Sequence, residues 1–322
     1  MANVTTTSVE TEHARTGAPS RAPASAAVGA FAGLPMRVLA RLPRPAAFAC
    51  AAALGRRRFR RSHGALARHA YPLLRDAAGV DASRIHRVAE LAFEHAACDE
   101  LEYALFPRIT RDNLSRYLEL RGIDRLERAL ERGHGAILYS GHVRGHYMLF
   151  AALGLLGLHP NIVGMPVASD SPPSRRRVYE RRDAVLRERM GCRFLYMAGD
   201  DFAVAARAAN ALRRNEVATF EIDHTHSGKN VDLPFLGMTA QFPVGPLLVA
   251  RSTGAPLLHF WLHRPARRTP QVAEIGEPIH ISEDIEASLA AVVAPLGESI
   301  RRHPESWATW LFPDVRLFTE RI

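Results

Sequence analysis

The 322-residue chain is 47% hydrophobic and 23% charged, an ordinary globular balance that allows one large α/β domain with a buried core and gives no reason to divide it. Its formal charge of +9 rests on 42 basic residues, of which only Lys229 is a lysine; so strong an arginine bias reflects coding composition, and only the clustering of charge speaks to function. Three scattered cysteines, Cys50, Cys98 and Cys192, form no CxxC pair, which excludes a disulfide frame and points to free thiols in a reducing compartment.

In chain order, the Ala-, Thr-, Ser- and Pro-rich segment Met1–Gly29 is expected to be a disordered tail; it has neither the basic start nor the apolar run of a secretory signal, and Glu10 and Glu12 argue against a transit peptide. Residues 30–322 then read as one domain, mainly helical over 30–132 and sheet-containing over 133–322. Leu34–Arg61 alternates small apolar residues with arginines and either lies in a membrane interface or packs on the domain as an amphipathic helix. Its apolar core, Pro45–Gly55, falls far short of the roughly 20 residues a spanning helix needs. Two dense basic runs, Arg56-Arg57-Arg58 with Arg60-Arg61 and Arg175-Arg176-Arg177 with Arg181-Arg182, are either solvated helix faces or contacts for an anionic partner such as phospholipid headgroups or an acidic carrier protein. No helix-turn-helix or zinc-finger spacing accompanies either run, so nucleic acid is not an expected partner.

From Ser83 to Arg132 the apolar spacing is helical. Ala136–Ser140, bounded by Gly135 and Gly141, is a buried strand, followed by a polar turn and a helix over Tyr147–Leu156. Further on come a strand at Asn161–Met165, a basic helix at Ser174–Met190, a strand at Cys192–Tyr196, a helix at Ala203–Arg214 and a strand at Val217–Asp223 with acids at its end. A polar loop, the Pro234–Gly237 turn, a helical Leu247–Gly254 and an apolar strand at Ala255–Leu262 follow. This alternation predicts an α/β fold: a mostly parallel central sheet flanked by helices, with an N-terminal helical segment. Such sheets hold ligands outside the carboxyl ends of their strands, where His142 and Asp223 both fall. There is no P-loop, no GxGxxG opening a helix and no GxSxG elbow. His142, His146, Asp223, His224 and His226 have donor types suited to zinc or iron, but the spacing is unspecific and no resident metal is expected.

Gly141-His142-Val143-Arg144-Gly145-His146-Tyr147, at the strand-to-helix junction, resembles the lysophospholipid acyltransferase superfamily, and within it the late acyltransferases of lipid A biosynthesis. That family carries a His, four residues, then Asp or Glu at this place. The resemblance runs through most of residues 34–312 in the family's order: GIDRLERALERGHGAILYSGH, Arg187 four before Gly191, Glu221-Ile222-Asp223-His224, Pro234–Gly237, VGPLLVARSTGAPLL and PESW at Pro304–Trp307. It implies an acyltransferase that uses no cofactor beyond the acyl thioester, carried by coenzyme A or an acyl carrier protein, and that acylates a hydroxyl or amine on a lipid or specialised metabolite.

By the same resemblance His142 is the general base. Two departures stand out: Tyr147 occupies the carboxylate's position, and ATWLFPDVRLF replaces the aromatic-basic ending after PESW. A phenol can hydrogen-bond an imidazole but cannot neutralise an imidazolium, so the missing acid is assigned first to Asp223, ahead of Glu221, Asp99 and Glu100. Arg144, His146, Arg187, His224 and Phe235 are expected to contact substrate. Arg144 would face the oxyanion, Arg187 either contacts an anion or is a solvated charge, and Phe235 sits in the wall of an acyl groove running from His142 between Tyr147–Leu156 and the Pro234–Gly237 turn. A cytoplasmic protein, peripheral on the inner membrane face, fits these features. The alternatives are a non-catalytic descendant binding acyl chains or a carrier partner, or a metal-dependent enzyme.

Overall fold

The computed structural model describes residues 34–320, apart from 168–170, 198–200, 225–228, 267–269 and 312–316. The tail expected over 1–29 and His226 lie outside the described residues.

Helices α1 (Leu34–Leu39), α2 (Arg44–Asp76) and α3 (Ala82–Leu105) form the expected N-terminal helical part. Met36, Ala40, Ala47, Phe48, Ala51 and Ala52 are buried against Ala97, Cys98, Leu101 and Leu105 of α3, so the small-residue face of the segment packs on the domain. Its other face remains open, with Val38 54% and Leu42 42% exposed beside exposed Arg37 and Arg41. Beneath this layer Arg264 is buried against both oxygens of Glu102, each at 3.0 Å, and Asp99 at 3.2 Å. A buried ion cluster of this kind adds little net stability, but losing one partner costs several kcal/mol, so it fixes the helical layer in register on the sheet end.

Seven strands make the central sheet: β1 (Leu118–Arg121), β2 (Ala136–Ser140), β3 (Pro160–Gly164), β4 (Arg193–Tyr196), β5 (Val217–Glu221), β8 (Leu257–His263) and β9 (Gln271–Ile279), in the order β1-β9-β8-β2-β5-β3-β4. All neighbouring pairs are parallel except β8 with β9, so the mostly parallel sheet expected from the alternation is present. The intervening helices are α4 (Ile123–Leu130), α5 (His146–Leu155), α6 (Pro173–Met190), α7 (Asp201–Arg213), α8 (Gly245–Thr253) and α9 (Ile285–Arg302). Leu118–Arg121 corrects the helix expected up to Arg132: LELR alternates well enough to pair with β9, and that pairing overrides the helical periodicity. A second, antiparallel sheet, β10-β7-β6, joins β6 (Asn230–Phe235), β7 (Met238–Pro243) and β10 (Phe318–Glu320). Its hairpin turns at Leu236-Gly237, both at positive φ, where the Pro234–Gly237 motif had suggested only a turn.

Every residue of β2 is buried, and Ser140 pairs with Glu221 at the carboxyl ends of adjacent parallel strands. On a strand, residues two apart share a face. The chain leaving β2 therefore places His142 level with the acids that end β5. From the other side, α9 is pinned to β2 by the Tyr139 hydroxyl donating to the Val292 carbonyl at 2.9 Å.

Candidate active site

His142 lies between two carboxylates. Its Nδ1 is 2.6 Å from Asp223 Oδ1 and its Nε2 is 3.0 Å from Glu221 Oε2. Asp223 is fully buried, and all its partners are donors: the His142 amide at 2.9 Å to each oxygen, His142 Nδ1, the Trp307 indole N–H at 2.6 Å and the Thr309 hydroxyl. Burial raises the Asp223 pKa, but the His142 charge and these hydrogen bonds outweigh it and hold the carboxyl at about 2. Burial likewise lowers His142, and the charges of Glu221 and Asp223 more than reverse that, keeping the ring well above its ordinary value and protonated at neutral pH. Glu221 is pushed up by burial and pulled below its ordinary value by His142 and His146.

The backbone explains the placement. Gly141 is required because a Cβ there would lie 2.6 Å from Asp223 Oδ2. Gly145, at φ 77, turns the chain into α5, and a Cβ on it would come within 2.0 Å of Gln271 Oε1. Between the two glycines the loop is held by the C-terminal segment: Val143 bridges Trp307, the Arg144 amide donates to Ser306 at 2.7 Å, and the Ala308 amide donates to the His142 carbonyl at 2.7 Å. With Val143 N bonded to Gly141 O, the amides of His142, Val143 and Arg144 are all occupied. An oxyanion must find its donors outside this stretch of backbone.

Of the other residues expected here, His146 closes on the site: its Nε2 is 3.6 Å from Glu221 Oε1 and its Nδ1 bonds the Val143 carbonyl at 2.7 Å. Burial lowers its pKa, against the raising influence of Glu221 and that carbonyl. The His224 ring centroid lies 6.0 Å from that of His142. Tyr147, which the sequence reading set in the motif acid's place, presents its ring face to the Arg182 guanidinium at 3.5 Å and packs edge-on with Tyr103, while carboxylates from β5 and its exit fill both nitrogens of His142. The charged and phenolic groups acting on Arg144 are Asp99, Tyr103, Tyr179 and Glu100, on α3 and α6, rather than Glu221 or Asp223. Arg187 is exposed on α6, over the Phe194 ring at 5.5 Å. Phe235 is buried against Phe242 and lines a cavity of about 320 Å³ between β6 and α9. Residues 147–156 contribute nothing to that cavity, because the side chains of Met148–Leu153 are buried in the main core.

Residue-type reasoning placed Glu221 behind Asp223, although strand period makes them a same-face pair, and it took Trp307 only as part of PESW. Thr309 and Arg182 carried no signal of their own. Among the described residues no group of three or more His, Cys, Asp or Glu side chains is arranged to hold a metal ion.

The sequence profile of the family described as "Bacterial lipid A biosynthesis acyltransferase" matches residues 20–316. Two curated phosphatidylinositol mannoside acyltransferases from Mycobacterium tuberculosis, of strains H37Rv and CDC 1551, are 30% and 29% identical to this chain over 207 residues. The match spans 62% of this chain and 62% of each relative.

Proposed function

The chain belongs to the bacterial lipid A biosynthesis acyltransferase family, and from that premise we propose that it transfers an acyl group from a coenzyme A or carrier-protein thioester to a hydroxyl or amine of a lipid or specialised-metabolite acceptor, with His142 as general base. The observation that carries this reading is the pair of carboxylates on His142, Asp223 at 2.6 Å and Glu221 at 3.0 Å. A phenol at Tyr147 cannot stabilise an imidazolium, and Asp223 on Nδ1 supplies that charge from the exit of the neighbouring strand, while Glu221 occupies Nε2 until the acceptor arrives.

In this mechanism Asp223 fixes the ring with its proton on Nδ1, and the acceptor takes the place of Glu221 on Nε2. Glu221 leaves with the Nε2 proton, and the loss of one of two raising charges brings His142 toward its neutral form. Nε2 then takes the acceptor proton as the acceptor oxygen or nitrogen bonds to the thioester carbon. The tetrahedral intermediate collapses with rupture of the C–S bond, and the imidazolium returns the proton to the leaving thiolate. Glu221 is thus a gate on the base. The exposed Val38 and Leu42 beside Arg37 and Arg41 suit peripheral contact with an anionic membrane, and among the described residues no helix is long and apolar enough to cross one.

His142→Ala tests the reading directly. With a panel of acyl-coenzyme A and acyl-carrier thioesters and total polar lipid as acceptor, the wild-type protein is expected to release free thiol and form acylated product by mass spectrometry. The variant should lose roughly two to four powers of ten in rate. Wild-type turnover by pure His142→Ala protein would end the proposal.

A further inference from the structure

Three arginines lie buried or half-buried behind the His142 loop, and they are not equivalent. Arg182 has Asp183 at 2.7 Å, and Arg264 has Glu102 at 3.0 Å and Asp99 at 3.2 Å. Arg144, two residues from His142, has no ion pair and no side-chain hydrogen bond among the described residues, and its Nε is buried without a partner. The two carboxylates that act on it are bound elsewhere, Asp99 to Arg264 and Glu100 to Arg58 at 2.7 and 2.9 Å. Its state reflects this: burial draws Arg144 below the ordinary arginine value, whereas Arg182 and Arg264, despite burial, are raised by their neighbours. A half-buried cation whose Nε is buried without a partner and which has no bonded counter-charge favours an incoming anion.

The surroundings fit one kind of anion. Tyr103 and Tyr179, which act on Arg144, are also the rings over which Arg182 lies, at 5.4 and 4.8 Å, while Arg182 rests on Tyr147 at 3.5 Å. The Tyr179 hydroxyl accepts from Arg175 Nε at 3.3 Å, which leaves its own proton for another acceptor. Tyr103, Arg144, Tyr147 and Tyr179 are all partly exposed, as are His142, His146 and Glu221. Two guanidinium groups and two phenols give donors in several directions. That matches a tetrahedral phosphate with three free oxygens better than a planar carboxylate. The neighbouring run of arginines on α6 adds a positive field at the entrance.

We propose that Arg144 and Arg182, with Tyr103 and Tyr179, form a subsite for a phosphate group carried by the substrate beside His142. The inference rests on the acyl-transfer reading only for which substrate brings the phosphate, a pantetheine-type thioester donor or a phospholipid-type acceptor. Tyr147 serves as the shelf under Arg182, a use for the residue that stands in the motif acid's place.

Binding, not turnover, tests the subsite. The full chain is titrated at low salt with inorganic phosphate, coenzyme A and glycerol 3-phosphate by calorimetry, alongside Arg144→Gln, Arg144→Lys and Tyr179→Phe, with thermal unfolding as a check on folding. Wild-type protein is expected to bind at least one organic phosphate. Arg144→Gln should weaken it roughly tenfold or more, as loss of a hydrogen bond to a charged group does, and Arg144→Lys should recover part of the loss. An effect confined to coenzyme A supports the subsite and places the phosphate on the donor; one confined to glycerol 3-phosphate supports it and places the phosphate on the acceptor. If the wild type binds none of the three, or if a folded Arg144→Gln protein binds all of them as tightly as wild type, the subsite is overturned. His142→Ala should bind all three like wild type. Phosphate binding without any turnover would keep the subsite and remove the acyl-transfer reading.

Discussion

Asp223→Asn preserves size and removes charge at a point where every neighbour is a donor. The carboxylate receives His142 N, His142 Nδ1, Trp307 Nε1 and the Thr309 hydroxyl. Asparagine offers one acceptor oxygen and one NH₂. If the oxygen stays with Trp307 and Thr309, the NH₂ faces Nδ1 and forces the ring proton onto Nε2, the tautomer that cannot accept a proton from substrate. If the oxygen turns to His142, the NH₂ faces two donors. Either arrangement leaves a buried group unsatisfied, at a cost of about 1–3 kcal/mol. The depressed pKa leads to a similar figure: a carboxyl held at about 2 in the fold, against an ordinary value of about 3.9 in the unfolded chain, contributes about 2–3 kcal/mol. The two figures describe the same bonds and do not add. Because the folded pKa is the depressed one, this stability is complete above about pH 4 and disappears as pH falls toward 2. The variant should therefore melt roughly 5 °C lower at pH 7 and lack that part of the wild-type acid transition. Its rate should fall about 10²- to 10⁴-fold in the thiol-release assay. Nitrogen NMR of the labelled His142 ring should change from imidazolium to the neutral Nε2–H form. A variant with wild-type rate and an unchanged ring spectrum would refute Asp223 as the group that orients His142.

Glu221→Gln removes one of the two negative charges that raise His142, so the neutral ring forms at lower pH, and the acidic limb of the kcat/KM profile should move to lower pH; an unmoved limb would refute the gate. Tyr147→Glu restores a carboxylate at the motif position, yet the side chain beside it is Arg182, 3.5 Å from the present ring. The new acid should pair there, raise transfer no further than wild type and leave the His142 ring signals unchanged; a rate above wild type would show that it reaches His142. Flotation with anionic vesicles should capture the protein at low salt and release it at high salt, and Val38→Glu with Leu42→Glu should abolish capture. Capture unaffected by both changes would place the contact elsewhere.

Five of the seven strands of the main sheet were legible because they are short apolar runs between glycines and polar turns, and Ala136–Ser140 and Val217–Glu221 were found nearly to the residue; Gln271–Ile279, with Gln, Glu and Pro among its apolar residues, was not. The second sheet was not, since Asn230–Phe235 mixes Asn, Asp and Pro with its apolar residues and pairs only through a hairpin whose turn looked like an isolated motif. Leu118–Arg121 was missed because four residues carry too little pattern to stand against a helical neighbourhood. At the site, His142 and Asp223 were legible from strand ends. Their pairing was legible only as a ranking, because the registration of Ser140 with Glu221 is a tertiary fact. Arg144 was expected beside the oxyanion, but the groups around it lie on α3 and α6, which the spacing of the loop alone does not fix.

The site draws on three distant stretches of chain, and this ties its chemistry to the stability of the last of them. Asp223 is charged at ordinary pH because the His142 charge and the hydrogen bonds it accepts outweigh its burial, and two of its four donors, Trp307 and Thr309, belong to the C-terminal segment. The same segment holds the loop backbone through Val143, Arg144 and the His142 carbonyl. If residues 304–309 detached, Asp223 would lose half its donors, its pKa would rise toward the value burial favours, and His142 would lose both its anchor and part of the charge that keeps it protonated. The charge and position of Asp223 therefore depend on this closure. A carboxylate one helical turn from His142 on α5 would need no such strap, whereas an acid on β5 is oriented by whatever covers it. Thr309, three residues after the serine of PESW, donates its hydroxyl to Asp223, so the segment that covers the exit of β5 also helps set the charge of the carboxylate against His142.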